Sequence, residues 1–328
     1  MNTNLGDISV IKKLDIDSLE PGSRHRFFVH LVSDGLGLPI YVPVMVAKGI
    51  EPGPVLAIVA AVHGNELNGI PIVQRIFSEL ENDQIKGTII GIPVVNVPGL
   101  QLMQREFNDD VDLNHIMPGK ADGNNSEIYV YRLLHNVLHN VDFLLDLHTA
   151  SFGRINSFYV RANMQDQKTA DLALLQNAQI IVDSPAPVGT LRHYLTDRSA
   201  TGITLEVGDP NRFQRGMIRS SLPGISNALA ALGMVDGQIE PPAQDPYVCS
   251  HSYWQYTDEG GFLEVHPDVT QLVKKNEVIA SLRNIFGEVI KEYRAREDGV
   301  VVGKSTHPVA QSGSRILHLG ILLKSDCR

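Results

Sequence analysis

Apolar and polar positions follow two periods along this 328-residue chain, and the change from one to the other marks its organisation. Residues 25–32 and 39–47 are β-rich runs joined by Ser33-Asp34-Gly35-Leu36-Gly37, which predicts a hairpin. Residues 55–62 are continuously apolar, as in a strand buried on both faces. Leu67, Ile70, Val73, Ile76, Phe77 and Leu80 then recur every three or four residues, which predicts a helix. Further strand-like runs cover residues 88–95, 143–147, 157–160, 179–182 and 203–207. Helical patterns cover 127–141, 168–177 and 217–232. This alternation implies an α/β layer fold with a mostly parallel or mixed sheet flanked by helices.

The second period ends at residues 236–245, a polar stretch with Pro241-Pro242 that reads as a linker. Beyond it only short strand-like runs remain, at 277–282, 289–293, 299–302 and 316–322, separated by turn signals such as Asp298-Gly299 and Ser312-Gly313. The expected division is an α/β domain over residues 1–240 and a small all-β domain over 246–328.

Charge narrows the partners. Lys+Arg 28 against Asp+Glu 37 gives a formal charge of −9, and the excess lies before residue 250. Duplex nucleic acid and anionic membrane both require a basic surface, so neither is expected as a partner. Cys249 and Cys327 cannot build a disulfide framework or a thiolate metal site. Residues 1–10 lack a secretory h-region, and no run of 18 apolar residues occurs. A soluble cytoplasmic protein acting on a small molecule is the expectation, with room for a homo-oligomer.

The candidate chemistry sits at strand ends. His63-Gly64-Asn65-Glu66 follows the first buried strand, Asp146-Leu147-His148 closes another, and Thr204-Leu205-Glu206-Val207-Gly208 closes a third. Open α/β sheets build their sites outside the carboxyl ends of strands, so the three segments can converge. Two histidines and one glutamate with a free fourth position make a catalytic rather than a structural zinc site. A further glutamate, not needed as a ligand, is then available to take a proton from water. His135 and His139 form a rival i, i+4 pair, but Leu134, Val137, Leu138 and Val141 mark the buried face and leave both histidines on the solvent side.

With Val111-Asp112-Leu113-Asn114 between the first two segments, the order of motifs resembles the succinylglutamate desuccinylase/aspartoacylase family of the zinc carboxypeptidase-like superfamily. The resemblance runs over about residues 55–234. It implies one Zn2+ held by His63, Glu66 and His148, with Glu206 as general base and later proton donor to the leaving amine. It also implies that Arg105 polarises the scissile carbonyl and that Asn114 helps hold the substrate carboxylate. Where the family normally has arginine after that asparagine, this chain has His115. Arg192 is the next candidate for anion binding, with Arg198 its alternative, and Asp146 is a candidate to orient a ligand imidazole. The last 80 residues resemble the family's β-rich second domain and, more distantly, lipoyl-like barrel-sandwich domains, but no carrier lysine stands at Glu288. Tyr253, Trp254 and Tyr256 are placed to cap the mouth of the site or, the stronger expectation, to make core or interface contacts.

The implied activity is zinc-dependent hydrolysis of the amide bond in a small, anionic N-acyl amino acid or N-acyl amine. The alternatives are a metallocarboxypeptidase acting on peptide C-termini and a silent zinc-binding protein of the same fold.

Overall fold

The expected hairpin forms: Ser23–Ser33 pairs antiparallel with Pro39–Lys48, and its turn closes on Asp34, whose Oδ1 accepts from the backbone N–H groups of Leu36 and Leu38. The computed structural model describes residues 8–80 and 85–323. Cys327 and residues 1–7 therefore lie outside the described residues. The fold is mixed α/β around a large central sheet.

Seven strands of that sheet matter for the site. In spatial order they are Pro39–Lys48, Lys86–Ile92, Glu51–Ala60, Phe143–His148, Thr201–Val207, Phe158–Ala162 and Ile180–Asp183. Glu51–Ala60, Phe143–His148 and Thr201–Val207 run parallel, whereas Phe158–Ala162 runs against Thr201–Val207. Alternation along Glu51–Ala60 explains its unbroken apolar run. Leu56 and Ile58 enter a core with the helices Gly69–Glu79 and Arg215–Ala231, while Ala57 and Val59 face the core under the helix Asn125–Asn136. Both faces are covered, so no polar side is needed.

Helix ends follow local chemistry. Asn124 and Glu127 form a reciprocal capping box at the start of Asn125–Asn136. The expected helix over 127–141 stops short, at Asn136. Val137 and Leu138 are still buried in the same core, so their spacing imitates a longer helix. His139 consequently lies beyond the helix, and His135 Nδ1 contacts the Tyr131 carbonyl oxygen at 2.8 Å. Two short helices, Val97–Leu102 and Leu191–Thr196, carry too few turns to show a period.

After residue 246 every regular element among the described residues is a strand. Tyr247–Tyr256 pairs parallel with Ile180–Asp183, so the central sheet continues into the C-terminal strands Arg315–Leu322 and Gly299–Ser305. Tyr159, Ile180 and Val182 share a buried cluster with Cys249, Val300 and Val302, packing the two parts of the chain on common side chains. Burial pushes the Cys249 thiol up to about 12, which leaves it unreactive at neutral pH. Among the described residues, no helix is long and apolar enough to cross a membrane.

Candidate metal centre and active site

Strand parity aims the polar side chains. In Phe143–His148, Leu145 and Leu147 enter one core, which turns Asp146 and His148 to the opposite face. In Thr201–Val207, Ile203, Leu205 and Val207 do the same and leave Thr204 and Glu206 beside them. The register places Glu206 opposite His148 on one side and opposite Tyr159 on the other. His63 arrives from a turn. Ala61, at φ 51, leaves the strand in a left-handed conformation, and Gly64 packs so closely that a Cβ would overlap the Gly99–Leu100 backbone.

The three proposed ligands meet. His63 Nδ1 lies 2.9 Å from Glu66 Oε1, His148 Nδ1 lies 2.9 Å from Glu66 Oε2, and the two Nδ1 atoms are 3.1 Å apart. All three side chains are buried, and one ligand atom from each falls within 4.8 Å of the others. The outer ring nitrogens each face a carboxylate. His63 Nε2 is 3.1 Å from Asp112 Oδ1, and His148 Nε2 is 3.1 Å from Asp146 Oδ2, a close contact without hydrogen-bond alignment. With Nε2 protonated toward its carboxylate, each Nδ1 is free to give a lone pair to a cation, whereas a protonated His148 donates from Nδ1 to Glu66 Oε2. Two imidazole nitrogens and a carboxylate converge on one point, a ligand set that suits a divalent cation of the zinc type.

The electrostatics agree. Burial pushes the Glu66 carboxyl up, but His63 and His148 outweigh it and hold it well below the ordinary carboxylate range. Burial also opposes a charged His148, yet Asp146 and Glu66 carry its pKa well above the usual histidine value. Positive charge is what this point requires. Asp112 is likewise held low against its burial, by His63 and Arg105.

Arg105 lies in the same network. Its Nη1 is 2.9 Å from Glu66 Oε1 and 2.7 Å from Ser151 Oγ, while Nε and Nη2 reach Asp112 Oδ2 at 3.0 and 2.8 Å. Glu206 stands apart from the three ligands. Its Oε2 accepts from Asn156 Nδ2 at 3.2 Å, and its Oε1 is 3.5 Å from Arg161 Nε. Burial raises its pKa and outweighs the opposing pull of Arg161.

These groups line one open cavity of about 260 Å³. Asn114, His115 and Arg192 line it too, but in different ways. Asn114 Oδ1 accepts from Leu191 N at 2.8 Å and so caps the short helix that carries Arg192. Arg192 is buried, with Nη1 donating to the Ser184 carbonyl oxygen, whereas the His115 side chain is 71% exposed at the rim. Arg198 lies over the Tyr194 ring, outside the cavity.

Sequence reasoning missed several lining residues. Trp254, for which core or interface contacts are the stronger expectation and the mouth of the site the weaker, lines the cavity together with Arg154, Tyr159, Arg161 and His318. Its indole stacks on His318, with 5.1 Å between ring centroids. The one available signal was an arginine inside the apolar run Phe158-Tyr159-Val160-Arg161-Ala162. Arg161 Nη2 bonds the Tyr159 hydroxyl at 2.8 Å.

Known proteins share this arrangement of elements. A curated relative, the Nα-acetyl-L-2,4-diaminobutyric acid deacetylase of Halomonas elongata, is 24% identical over 94% of this chain and 95% of its own. A succinylglutamate desuccinylase/aspartoacylase structure from Rhodobacter sphaeroides superposes with a TM-score of 0.86 at 20% identity, over 95% of this chain and 98% of that one. The product-bound ectoine utilization protein of Ruegeria pomeroyi does so with a TM-score of 0.83 at 20% identity, over 91% and 95%. The model of the succinylglutamate desuccinylase/aspartoacylase catalytic domain matches residues 52–232, which include His63, Glu66, Arg105, His148 and Glu206. With more than half of its residues matched, the chain belongs to the succinylglutamate desuccinylase/aspartoacylase family.

Proposed function

We propose that the protein is a zinc-dependent deacylase that hydrolyses the amide bond of a small anionic N-acyl amino acid. The observation that carries this reading is the convergence of His63 Nδ1, His148 Nδ1 and the Glu66 carboxylate on one buried point, beside a separate buried glutamate. When bound, the ion supplies Lewis acidity, polarising the amide carbonyl and lowering the pKa of water toward neutrality. Glu206 takes the proton of the attacking water and returns it to the departing nitrogen. Its raised pKa suits both halves of that exchange. Arg105, fixed by Asp112 and Glu66, faces the charge that develops on the carbonyl oxygen.

Size and charge define the substrate class. The cavity of about 260 Å³ suits a small molecule. Its lining holds Arg105, Arg154, Arg161 and Arg192 against Glu66, Asp146 and Glu206, and a bound divalent ion adds to the positive side. An anionic substrate fits that balance. The relative from Halomonas elongata, a deacetylase of an Nα-acetylated amino acid, supports the reaction type. In this reading residues 1–240 carry the chemistry, and the β-rich unit from 246 onward closes one wall of the pocket through Trp254 and His318.

Amine release from a panel of N-acyl amino acids and peptides tests the proposal. Turnover of small anionic N-acyl amino acids, lost on chelation and restored by Zn2+, is expected. Release of C-terminal residues from long peptides would make the protein a carboxypeptidase. One zinc per chain without turnover on any acyl-amine would make it a binding protein.

A further inference from the structure

Glu206 is held in place from a distant part of the chain. The Asn156 amide that donates to its Oε2 is buried, at 6% exposure, and ends the three-residue strand Arg154–Asn156. Among the described residues that strand pairs with Gly299–Ser305, where Gly303 stands opposite Asn156. Contact there is tight: a Cβ on Gly303 would collide with Asn156 Oδ1 and with the Ile155 carbonyl oxygen. Two backbone bonds pin the flanks, Ser157 N to Val302 O at 3.0 Å and Thr306 N to Gly153 O at 2.8 Å. Gly303 also borders a register shift in the pairing of its strand with Arg315–Leu322.

The amide has one useful orientation. A carboxylate only accepts, so Asn156 must turn its NH2 to Glu206, which sends its oxygen toward residue 303. A side chain at 303 would take the space that this oxygen occupies. We infer that Asn156 and Gly303 are positioning residues for Glu206, so that a strand from the C-terminal part of the chain sets the aim of the catalytic base. The inference rests on the reading of Glu206 as that base. The Asn156 bond holds Oε2, while Oε1 faces the Arg161 guanidinium at 3.5 Å. A base displaced by about 1 Å loses on the order of a hundredfold in rate.

The test uses the full-length, zinc-loaded protein with Gly303→Ala, Asn156→Ala and the double variant. Each single change should lower kcat by about 10- to 100-fold. KM should stay within about threefold, and the zinc content should be unchanged. The double variant should be no slower than Asn156→Ala alone, because both changes act through one bond. Losses that multiply, or wild-type kcat in Asn156→Ala, would overturn the inference. If Gly303→Ala does not fold, Asn156→Asp takes its place. It keeps the shape without the N–H donor, so it should be at least as slow as the alanine variant, and full activity would overturn the inference. Wild-type turnover in Glu206→Gln would instead remove the reading of Glu206 as base, a failure separate from that of Asn156.

Discussion

His63 and His148 turn their Nδ1 atoms toward each other at 3.1 Å, each also facing one oxygen of Glu66. Glu66 and the two imidazoles form a charged cluster here, with His148 favouring its protonated form. In the proposed reading a cation takes the place of that proton, so metal binding would couple to stability. Chelation should lower the thermal midpoint, and Zn2+ should restore it in proportion to RT ln(1 + [L]/Kd). His148→Ala should bind zinc more weakly than the roughly 10- to 100-fold loss typical of removing an outer partner, and should lose turnover. Metal analysis by mass spectrometry and a thermal melt check both. A His148→Ala protein with full zinc and full activity would sink the assignment.

Asp112 serves two masters, His63 Nε2 and the Arg105 guanidinium. Asp112→Asn keeps the size but removes the charge that orients both. Zinc affinity should fall by about 10- to 100-fold. Because Arg105 is released as well, kcat should remain low even when saturating zinc refills the site. Recovery of full kcat at high zinc would show that Asp112 acts on the metal ligand alone.

Arg161 opposes the protonation of Glu206 that burial favours. Burial raises the Glu206 pKa, and the guanidinium 3.5 Å from its Oε1 pulls it back down. A base works deprotonated, so activity falls as pH drops through that pKa. Removing the positive charge makes proton loss harder, so the acid limb must move upward in pH. Arg161→Met should therefore shift the acid limb of kcat/KM to higher pH, most visibly in slightly acidic buffer, while Glu206→Gln should abolish the limb together with the activity. A pH–rate profile decides it: a downward or absent shift would detach Arg161 from the base.

The legible part of this protein is the part that local sequence encodes. Strand ends after apolar runs located His63, His148 and Glu206, because a buried parallel strand has a recognisable composition and sites gather at its carboxyl end. The strands Ser23–Ser33, Phe143–His148 and Val278–Arg283 were readable from period or composition for the same reason. What the sequence hid was long-range. Nothing local says that Tyr247–Tyr256 pairs with Ile180–Asp183 or that Trp254 reaches the cavity. Nor does it say that Asn156 bonds Glu206 across fifty residues. Aromatic residues in a β-rich tail have the same pattern whether they fill a core or face a substrate.

In the proposed reading Arg192 and His115 would divide the work of holding the substrate's anionic group unequally. Arg192 is buried, its helix is capped by Asn114, and one nitrogen is tied to Ser184 O. A guanidinium fixed in this way loses little entropy on binding a carboxylate and makes a charge-assisted contact of about 1.5–3 kcal/mol. His115 is 71% exposed and lies 3.8 Å from Asp112 Oδ2, so solvent screens it. Arg192→Met should therefore raise KM by roughly 10- to 100-fold, with a smaller effect on kcat. His115→Ala should change KM by less than about threefold, and His115→Arg, which restores the family's usual residue, should lower it for substrates with a free carboxylate. Steady-state kinetics on one anionic N-acyl amino acid and its amide analogue separates the two positions. The Arg192→Met penalty must vanish on the amide, because the lost contact is to charge; an equal penalty on both substrates would mean that Arg192 supports the fold of the pocket rather than the carboxylate.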